Sequence, residues 1–319
     1  MNTKLVEDIA DAVLYEGYML YPYRASAIKN QQRWNFGVLY PRAFAEPQVG
    51  SNPWSMQTEC LAQTCRETAS LSFRLRFLHL LERSAEDQPA QIWQEGTERD
   101  VSISGLKFDG LLAHAEQHTF TFAAGSERDG TFLRTWEQVE GCVEVQAEAL
   151  GNGLFKARIR VFNTALMDDA TRSSRDRALR RALVSAHTIL QIEGGEFVSL
   201  LEPPGELRDA AAQCANVGTW PVLVGEDGAR DAMLSSPIIL YDYPKIATES
   251  AGNLFDGTEI DEILTLRIMT MTDDEKAEMG QVDKRTREIL ERTESMPPEQ
   301  LMKMHGALRG LRELRREMP

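Results

Sequence analysis

The sequence predicts an α+β fold, with an antiparallel β-sheet unit of five to seven strands followed by a mixed α/β half and a helical C-terminus. Three observations support this prediction. Apolar and polar residues alternate in several segments before residue 165, which is the pattern of half-buried strands. Apolar residues recur at helical spacing near both ends of the chain. The apolar fraction of 42% and the charged fraction of 26% are typical of a globular protein.

The N-terminal part opens with a helical pattern and then becomes irregular. Residues 3–15 carry apolar side chains at helical spacing, and Thr3 can cap the helix. The next stretch, rich in Tyr, Pro, Gly and Arg, predicts a loop and then a short strand around residues 35–40. Residues 84–98 are polar, which also predicts a loop.

The antiparallel unit is predicted over residues 56–163. Its clearest strand pattern places Leu71, Phe73, Leu75 and Phe77 between polar neighbours. Two glycines in the sequence LGNGLF, beginning at Leu150, are typical of a tight hairpin turn. Similar alternation in several further segments gives the expected five to seven strands.

The C-terminal half mixes the two kinds of pattern. Residues 173–190 carry an apolar stripe at helical spacing and predict a helix. Residues 206–215 predict a second helix, and short apolar runs between Gly and Pro, such as residues 220–225, predict buried strands. From residue 258 onwards the pattern is helical.

A domain boundary is predicted where strand patterns give way to helical ones. It would separate residues 1–165, with the N-terminal helix, the Tyr- and Arg-rich loop and the antiparallel unit, from residues 166–319, the mixed region with its helical tail. One continuous domain is the alternative, because a single α+β core can accommodate both parts.

Charge and composition exclude several classes of protein. The 49 acidic and 35 basic residues give a net charge of −14, and such a field repels phosphate backbones, so no nucleic-acid partner is expected. No apolar run approaches the ~20 residues that span a bilayer, and the N-terminus lacks the features of a signal peptide, so no membrane insertion is expected. The 4 cysteines in a long chain suit a reducing compartment, which predicts a cytoplasmic location.

Two cysteines and two histidines form a candidate metal site. His114 and His118 have a spacing that would place both imidazoles on one face of a helix. The strand pattern that follows would instead set them ~13 Å apart. Cys60 and Cys65 match no standard zinc or redox spacing. Ordinary surface histidines and buried thiols are the alternative for all four residues.

The segment over residues 15–46 is dense in tyrosine, arginine and proline. Tyr, Trp and Arg are the residue types that carry much of the binding energy at protein interfaces, so the segment predicts a partner-binding surface. The alternative is a long loop fastened to the strands by its own hydrogen bonds and cation–π contacts. The candidate partner-binding residues are Tyr18, Tyr21, Tyr23, Arg24, Lys29, Arg33 and Trp34.

Standard catalytic and nucleotide-binding motifs are absent from the sequence. There is no GxGxxG, no GxxxxGK[ST] and no GxSxG. Catalytic residues therefore stay unknown, and no cofactor is predicted. A Ser–His–Asp set assembled in space is left open, since its members need not be close in sequence.

Three stretches of the sequence carry a resemblance. They are YEGYMLYPYRASAIKNQQRWNFGVLYPRAF, the LEPP that follows GGEFVSLL, and LSSPIILYDYPKIATESAGNLFDGTEIDEILTLRIMTMTDDEKAEM. In these stretches the chain resembles an uncharacterised protein family encoded in bacterial nickel–iron hydrogenase gene clusters of the actinobacterial type. The resemblance runs from about residue 13 to residue 305. It implies a role in hydrogenase maturation, assembly or partnering, and it brings no established catalytic residues.

The resemblance and the tyrosine-rich segment together predict an accessory, assembly or scaffold protein that acts on a nickel–iron hydrogenase through protein–protein contacts. Its partners would be hydrogenase subunits or maturation proteins, and a homo-oligomer is left open. The chain lacks the paired CxxC motifs of hydrogenase subunits, so it is not expected to be one. The alternatives are a metal-handling or enzymatic protein with a Cys/His/acidic site, and a small-molecule-binding β-domain.

Overall fold

The computed structural model describes residues 3–16, 36–48, 52–64, 69–85, 88–169, 173–245, 276 and 284–295. Contacts divide the chain into two units. The first comprises Met1–Leu20 and Ser26–Lys245, and the second comprises Tyr21–Ala25 and Ile246–Pro319.

Twelve strands lie in the described residues of the first unit, and all of their pairings are antiparallel. The strands are β1 (Ser55–Thr64), β2 (Ser70–Ala85), β3 (Gln88–Lys107), β4 (Glu116–Phe122), β5 (Gly125–Asp129), β6 (Phe132–Trp136), β7 (Val139–Gly151), β8 (Leu154–Asn163), β9 (Val184–Glu193), β10 (Gly195–Val198), β11 (Trp220–Leu223) and β12 (Ala232–Ser236).

The described helices are short, apart from those near the two ends of the chain. They are α1 (Thr3–Glu16), α2 (Arg42–Ala45), α3 (Phe108–Ala113), α4 (Arg175–Leu179), α5 (Arg208–Ala212) and, in the second unit, α6 (Lys284–Ser295). A single 3-10 turn over Gly205–Leu207 precedes α5. None of the helices described here has the length and apolar character needed to cross a membrane.

The strands form two sheets. The first sheet has the order β10-β1-β8-β7-β4, and the second has the order β11-β12-β9-β2-β6-β5. β3 pairs with β2 along the whole hairpin, while β9 and then β6 pair with the opposite edge of β2. Strands from both sides of residue 165 therefore share each sheet, because β10 joins β1 and β9 joins β2.

The main core lies between the two sheets, because both contribute every second residue to one apolar cluster. Val143 and Ile159 enter it from the first sheet, and Leu75, Leu190 and Met233 enter it from the second. Alternation along a strand places these side chains on one face. Burial of each large apolar side chain stabilises the fold by about 1.5–3 kcal/mol.

Helix α1 carries two acids that pair with β2. Glu7 bonds Arg74 at 2.7 Å, and Asp11 bonds Arg76 at 2.6 Å. Arg76 is almost fully buried, and the next strand places His187 directly beside it in the sheet. Ser185 adds a hydrogen bond from its hydroxyl to the Val13 carbonyl at 3.0 Å. These contacts hold α1 to β2 and β9.

The predicted helix over residues 173–190 is wrong. Only Arg175–Leu179 is helical, and the chain then forms β9 over Val184–Glu193. β9 lies between β12 and β2, and nearly all of it is buried. A strand that is buried on both faces has a continuous apolar sequence, which also matches a helical stripe. Hydrogen bonding to β12 and to β2 on its two edges makes this segment a strand rather than a helix.

The predicted loop over residues 84–98 is also wrong, because β3 begins at Gln88. The polar side chains of this strand make its sequence resemble that of a loop. Its Glu95 is buried and forms ion pairs with Arg83 at 2.9 Å and Arg134 at 2.9 Å. The predicted strand around residues 35–40 appears in its described part as a single bridge from Leu39 to Leu183.

Several predictions are confirmed. The chain is α+β at the coarse level, α1 matches the predicted N-terminal helix, and β7 and β8 form the hairpin predicted from LGNGLF. That turn uses positive φ angles at Gly151, Asn152 and Gly153. Before residue 165, the described part of the chain contains eight strands rather than five to seven. Of the predicted helical C-terminus, the structure describes α6 and the helical residue 276, and the rest lies outside the described residues.

Candidate functional site

The structure does not bring the described members of the candidate metal set together. Cys60 is buried in the core from β1, and burial raises the pKa of its thiol. His118 lies on β4, three strands away in the same sheet, which separates the two residues by about 14 Å or more. Cys65 lies outside the described residues. Among the residues that the structure describes, no group of three or more His, Cys, Asp or Glu side chains is arranged to hold a metal ion.

The two histidines do not share a helix face. His114 follows α3 in an extended conformation, with φ −159° and ψ 156°. His118 belongs to β4, and its Nε2 lies 3.6 Å from the carboxylate of Glu116. His114 therefore precedes β4 in extended backbone, and the helix that would place both imidazoles on one face does not form.

All seven residues predicted to bind a partner lie outside the described residues. They are Tyr18, Tyr21, Tyr23, Arg24, Lys29, Arg33 and Trp34. Their role therefore stays a prediction from the sequence.

A different surface presents large apolar side chains to solvent. Leu201 is 50% exposed, Ile239 is 72% exposed and Tyr241 is 86% exposed. Tyr241 precedes Asp242, whose carboxylate accepts hydrogen bonds from the Ser199 hydroxyl at 2.5 Å and from the Leu223 backbone N–H at 2.8 Å. We call Leu201, Ile239 and Tyr241 the Asp242 surface.

Hydrogen bonds of Asp242 link the two turns that carry this surface. The Ser199 hydroxyl also accepts the backbone N–H groups of Leu201 at 3.2 Å and Glu202 at 2.9 Å, which closes the turn after β10. Tyr243 donates its backbone N–H to the Leu223 carbonyl at 2.8 Å, which holds the second turn along β11. Both turns are therefore fixed by hydrogen bonds to the sheets.

The outer face of the first sheet carries a second polar feature. Lys156, Arg158 and Arg160 follow one another at every second position of β8, so their side chains share this face. Each pairs with an acid on a neighbouring strand: Lys156 with Glu148, Arg158 with Glu59, and Arg160 with Glu144.

Glu59 is the most buried acid of this row. Its carboxylate accepts the Nε of Arg158 at 2.5 Å and the backbone N–H of Ala215 at 2.7 Å. Burial alone would raise the pKa of Glu59, but the hydrogen bonds from Ala215 and Arg158 outweigh burial and lower its pKa below the usual value. Glu59 therefore stays ionised and fixes the direction of the Arg158 guanidinium.

A groove of about 310 Å³ opens beside this row. Arg158 and Lys156 of β8 form its cationic side, and Gln146 and Glu148 lie directly opposite them on β7. Leu112 of α3 and Ala149 form its apolar side; Ala147 also borders the groove, but its side chain is buried in the core. The groove is therefore amphipathic.

Neither of these surfaces follows from the predictions made on the sequence. The apolar run of SPIILYDYP, residues 236–244, which also contributes to the resemblance, predicts a buried strand, whereas Ile239 and Tyr241 are exposed. Basic residues at alternate positions of a strand, as at residues 156–160, are a visible signal for one charged sheet face.

Comparison with known proteins finds no family model that matches the chain and no match among curated proteins.

Proposed function

We propose that this chain is an accessory protein that docks on a partner through the Asp242 surface, and that the partner is a nickel–iron hydrogenase subunit or maturation protein. The observation that carries the proposal is the exposure of Leu201, Ile239 and Tyr241 on two turns joined by Asp242. The identity of the partner rests on the sequence resemblance alone.

Ile239 and Tyr241 lie two residues apart, and the hydrogen bond between Ser199 and Asp242 links their segment to the turn of Leu201. This favours binding, because large apolar side chains exposed in one region are typical of interaction sites. Tyrosine contributes a large apolar area with few rotatable bonds, and truncation of such a residue at an interface costs about 2 kcal/mol or more. The hydrogen bonds of Asp242 order the two turns before the partner arrives, which reduces the entropy lost on binding.

The charge around the surface indicates the chemistry of the partner. Glu202 is exposed beside Leu201, and no described cation pairs with it, whereas Lys245 is paired with Asp227 at 2.7 Å. The chain as a whole has a net charge of −14. A partner that presents apolar side chains within a basic rim fits this surface, because opposite potentials speed association and disfavour other partners.

The test is affinity capture from the native host with a tagged chain, followed by quantitative mass spectrometry. Two variants change the surface, Ile239→Ser/Tyr241→Ser and Asp242→Ala. A matched control, Leu166→Ser, changes a residue that is 79% exposed elsewhere. We expect both surface variants to retain at most about one tenth of the captured hydrogenase proteins, since a loss of about 1.4 kcal/mol is tenfold in affinity. The control should match the unchanged chain.

The variant Tyr21→Ala/Arg24→Ala tests the sequence prediction separately. If it loses the partner while Ile239→Ser/Tyr241→Ser keeps it, binding belongs to the Tyr/Arg segment and the Asp242 surface is the wrong assignment. Recovery of the chain alone, or only with copies of itself, would remove the hydrogenase from the proposal.

A further inference from the structure

Arg158 is a cation of this groove that is only partly paired. The Nε of Arg158 is held by Glu59, and in the described part of the chain its terminal Nη nitrogens have no acceptor. The side chain is 37% exposed, so these nitrogens can meet a ligand. A guanidinium that is fixed on one edge presents its other edge in a constant direction, which suits the planar oxygens of a carboxylate.

Lys156 supplies a second cation in the same groove. Its ammonium group bonds Glu148 at 2.8 Å, and its side chain is only 14% exposed. An ammonium group has three donors, so one contact with Glu148 leaves donors for a second anion. Gln146, directly opposite Arg158, adds an amide at the same level of the groove.

The edge of β7 beside the groove has no partner strand among the described residues. The pairing of β4 with β7 ends at Val145. Thr164 donates its backbone N–H to the Glu140 carbonyl, so Glu140 bonds towards β8. Because these directions alternate in an antiparallel pair, Ala147 and Ala149 direct their N–H and C=O groups away from β8. These backbone groups can pair with an extended ligand.

We propose that this groove binds a terminal carboxylate joined to an apolar side chain. The carboxylate meets Arg158 and Lys156, and the apolar side chain meets Leu112 and Ala149. The groove volume lies at the lower end of the range for ligand pockets, which limits the ligand to a small molecule or a few residues of a peptide. The carboxyl terminus of an extended peptide satisfies these contacts and also the free edge of β7, as in β-strand addition.

The test is isothermal titration of the full chain with two pairs of probes. The first pair is hexanoate and hexanamide, and the second is the peptide acetyl-Ala-Val-Ala-Leu with a free carboxylate and with a terminal amide. Each acid should bind at least about tenfold more tightly than its amide, because a charged carboxylate accepts stronger hydrogen bonds from these cations than a neutral amide does. Binding of hexanoate alone identifies a free carboxylate as the ligand, and binding of the peptide acid identifies a chain terminus.

Variants locate the binding. Arg158→Gln should weaken binding of the acid probes at least about tenfold, whereas Arg208→Gln, the same change at an exposed position, should leave it within about twofold. Arg158→Gln leaves Glu59 buried without its cation, and if that variant fails to fold, Leu112→Asp places a repelling charge in the groove from an exposed position. The proposal is overturned if acids and amides bind equally, if neither acid binds, or if the groove variants bind as the unchanged chain does.

Discussion

Acidification should destabilise the first unit, because this unit buries two neutral histidines. Burial, together with the positive charge of Arg99, lowers the pKa of His79 from 6.5 to about 4. Burial, with the charges of Arg76 and Arg74, lowers the pKa of His187 from 6.5 to about 3. Both imidazole rings must therefore stay neutral in the folded chain.

The sign follows from proton binding in the two states. Each histidine has a lower pKa in the folded chain than in the unfolded chain, so the unfolded chain binds more protons below about pH 6.5. The stability that these residues contribute is complete above about pH 6.5 and falls as the pH approaches the folded pKa values. At about pH 5 each histidine lowers the free energy of unfolding by about 2 kcal/mol, and the pair lowers it by about 4 kcal/mol. Since small domains have total stabilities of about 5–15 kcal/mol, this loss is large.

Carboxylates act in a different range. Ion pairing and hydrogen bonds lower the pKa of Glu59 and Glu144 below the ordinary 4.5, so their contribution is lost only below that pH. The change between about pH 6.5 and pH 5 therefore reports the histidines.

The assay is urea unfolding followed by tryptophan fluorescence, at intervals from about pH 7.5 to about pH 5. The free energy of unfolding should fall by about 4 kcal/mol across this range. The variant His187→Asn keeps a donor for the Ser185 carbonyl and should remove about half of the loss. An unchanged free energy across the range, or the same loss in His187→Asn, would refute the reasoning.

Two substitutions test local packing by the same assay at neutral pH. Asn163→Ala removes hydrogen bonds to the carbonyls of Leu39 and Arg181, both at 2.8 Å, and should cost about 3 kcal/mol because these groups stay buried. Gly37→Ala should cost about 1–3 kcal/mol, since Gly37 has a φ of +55° and an added Cβ would lie 2.5 Å from Pro237. A control at exposed Leu166, Leu166→Ala, should change the stability by at most about 0.5 kcal/mol. If Asn163→Ala or Gly37→Ala lowers the free energy of unfolding by no more than the control does, the reasoning for that residue is wrong.

The sequence predicted well the segments in which apolar and polar side chains alternate. Residues 71–77 of β2 and the hairpin of β7 and β8 show this alternation, because every second side chain there is polar or partly exposed. β9 could not be predicted in this way, because it is covered on both faces and paired on both edges. Its apolar pattern fits a helix equally well, and only pairing with distant strands separates the two outcomes.

The candidate sites depended on contacts that a sequence does not display. Glu59 and Ala215 are far apart in the chain, yet their hydrogen bond determines which way Arg158 points. Asp242 likewise acts through Ser199 and Leu223, which belong to two other segments. Short motifs such as the spacing of His114 and His118 indicated a site only if a helix formed, and the chain there is extended.

The late return of the chain to β1 and β2 has a consequence for its synthesis. β9 and β10 supply partners for strands that leave the ribosome much earlier. Until they emerge, β1 and β2 each present a long unpaired edge, which is a template for wrong pairing with other chains. Contacts so distant in sequence also form slowly. A chain interrupted near residue 165 should therefore aggregate rather than fold, and efficient production of this protein should depend on uninterrupted translation or on a chaperone that covers those edges.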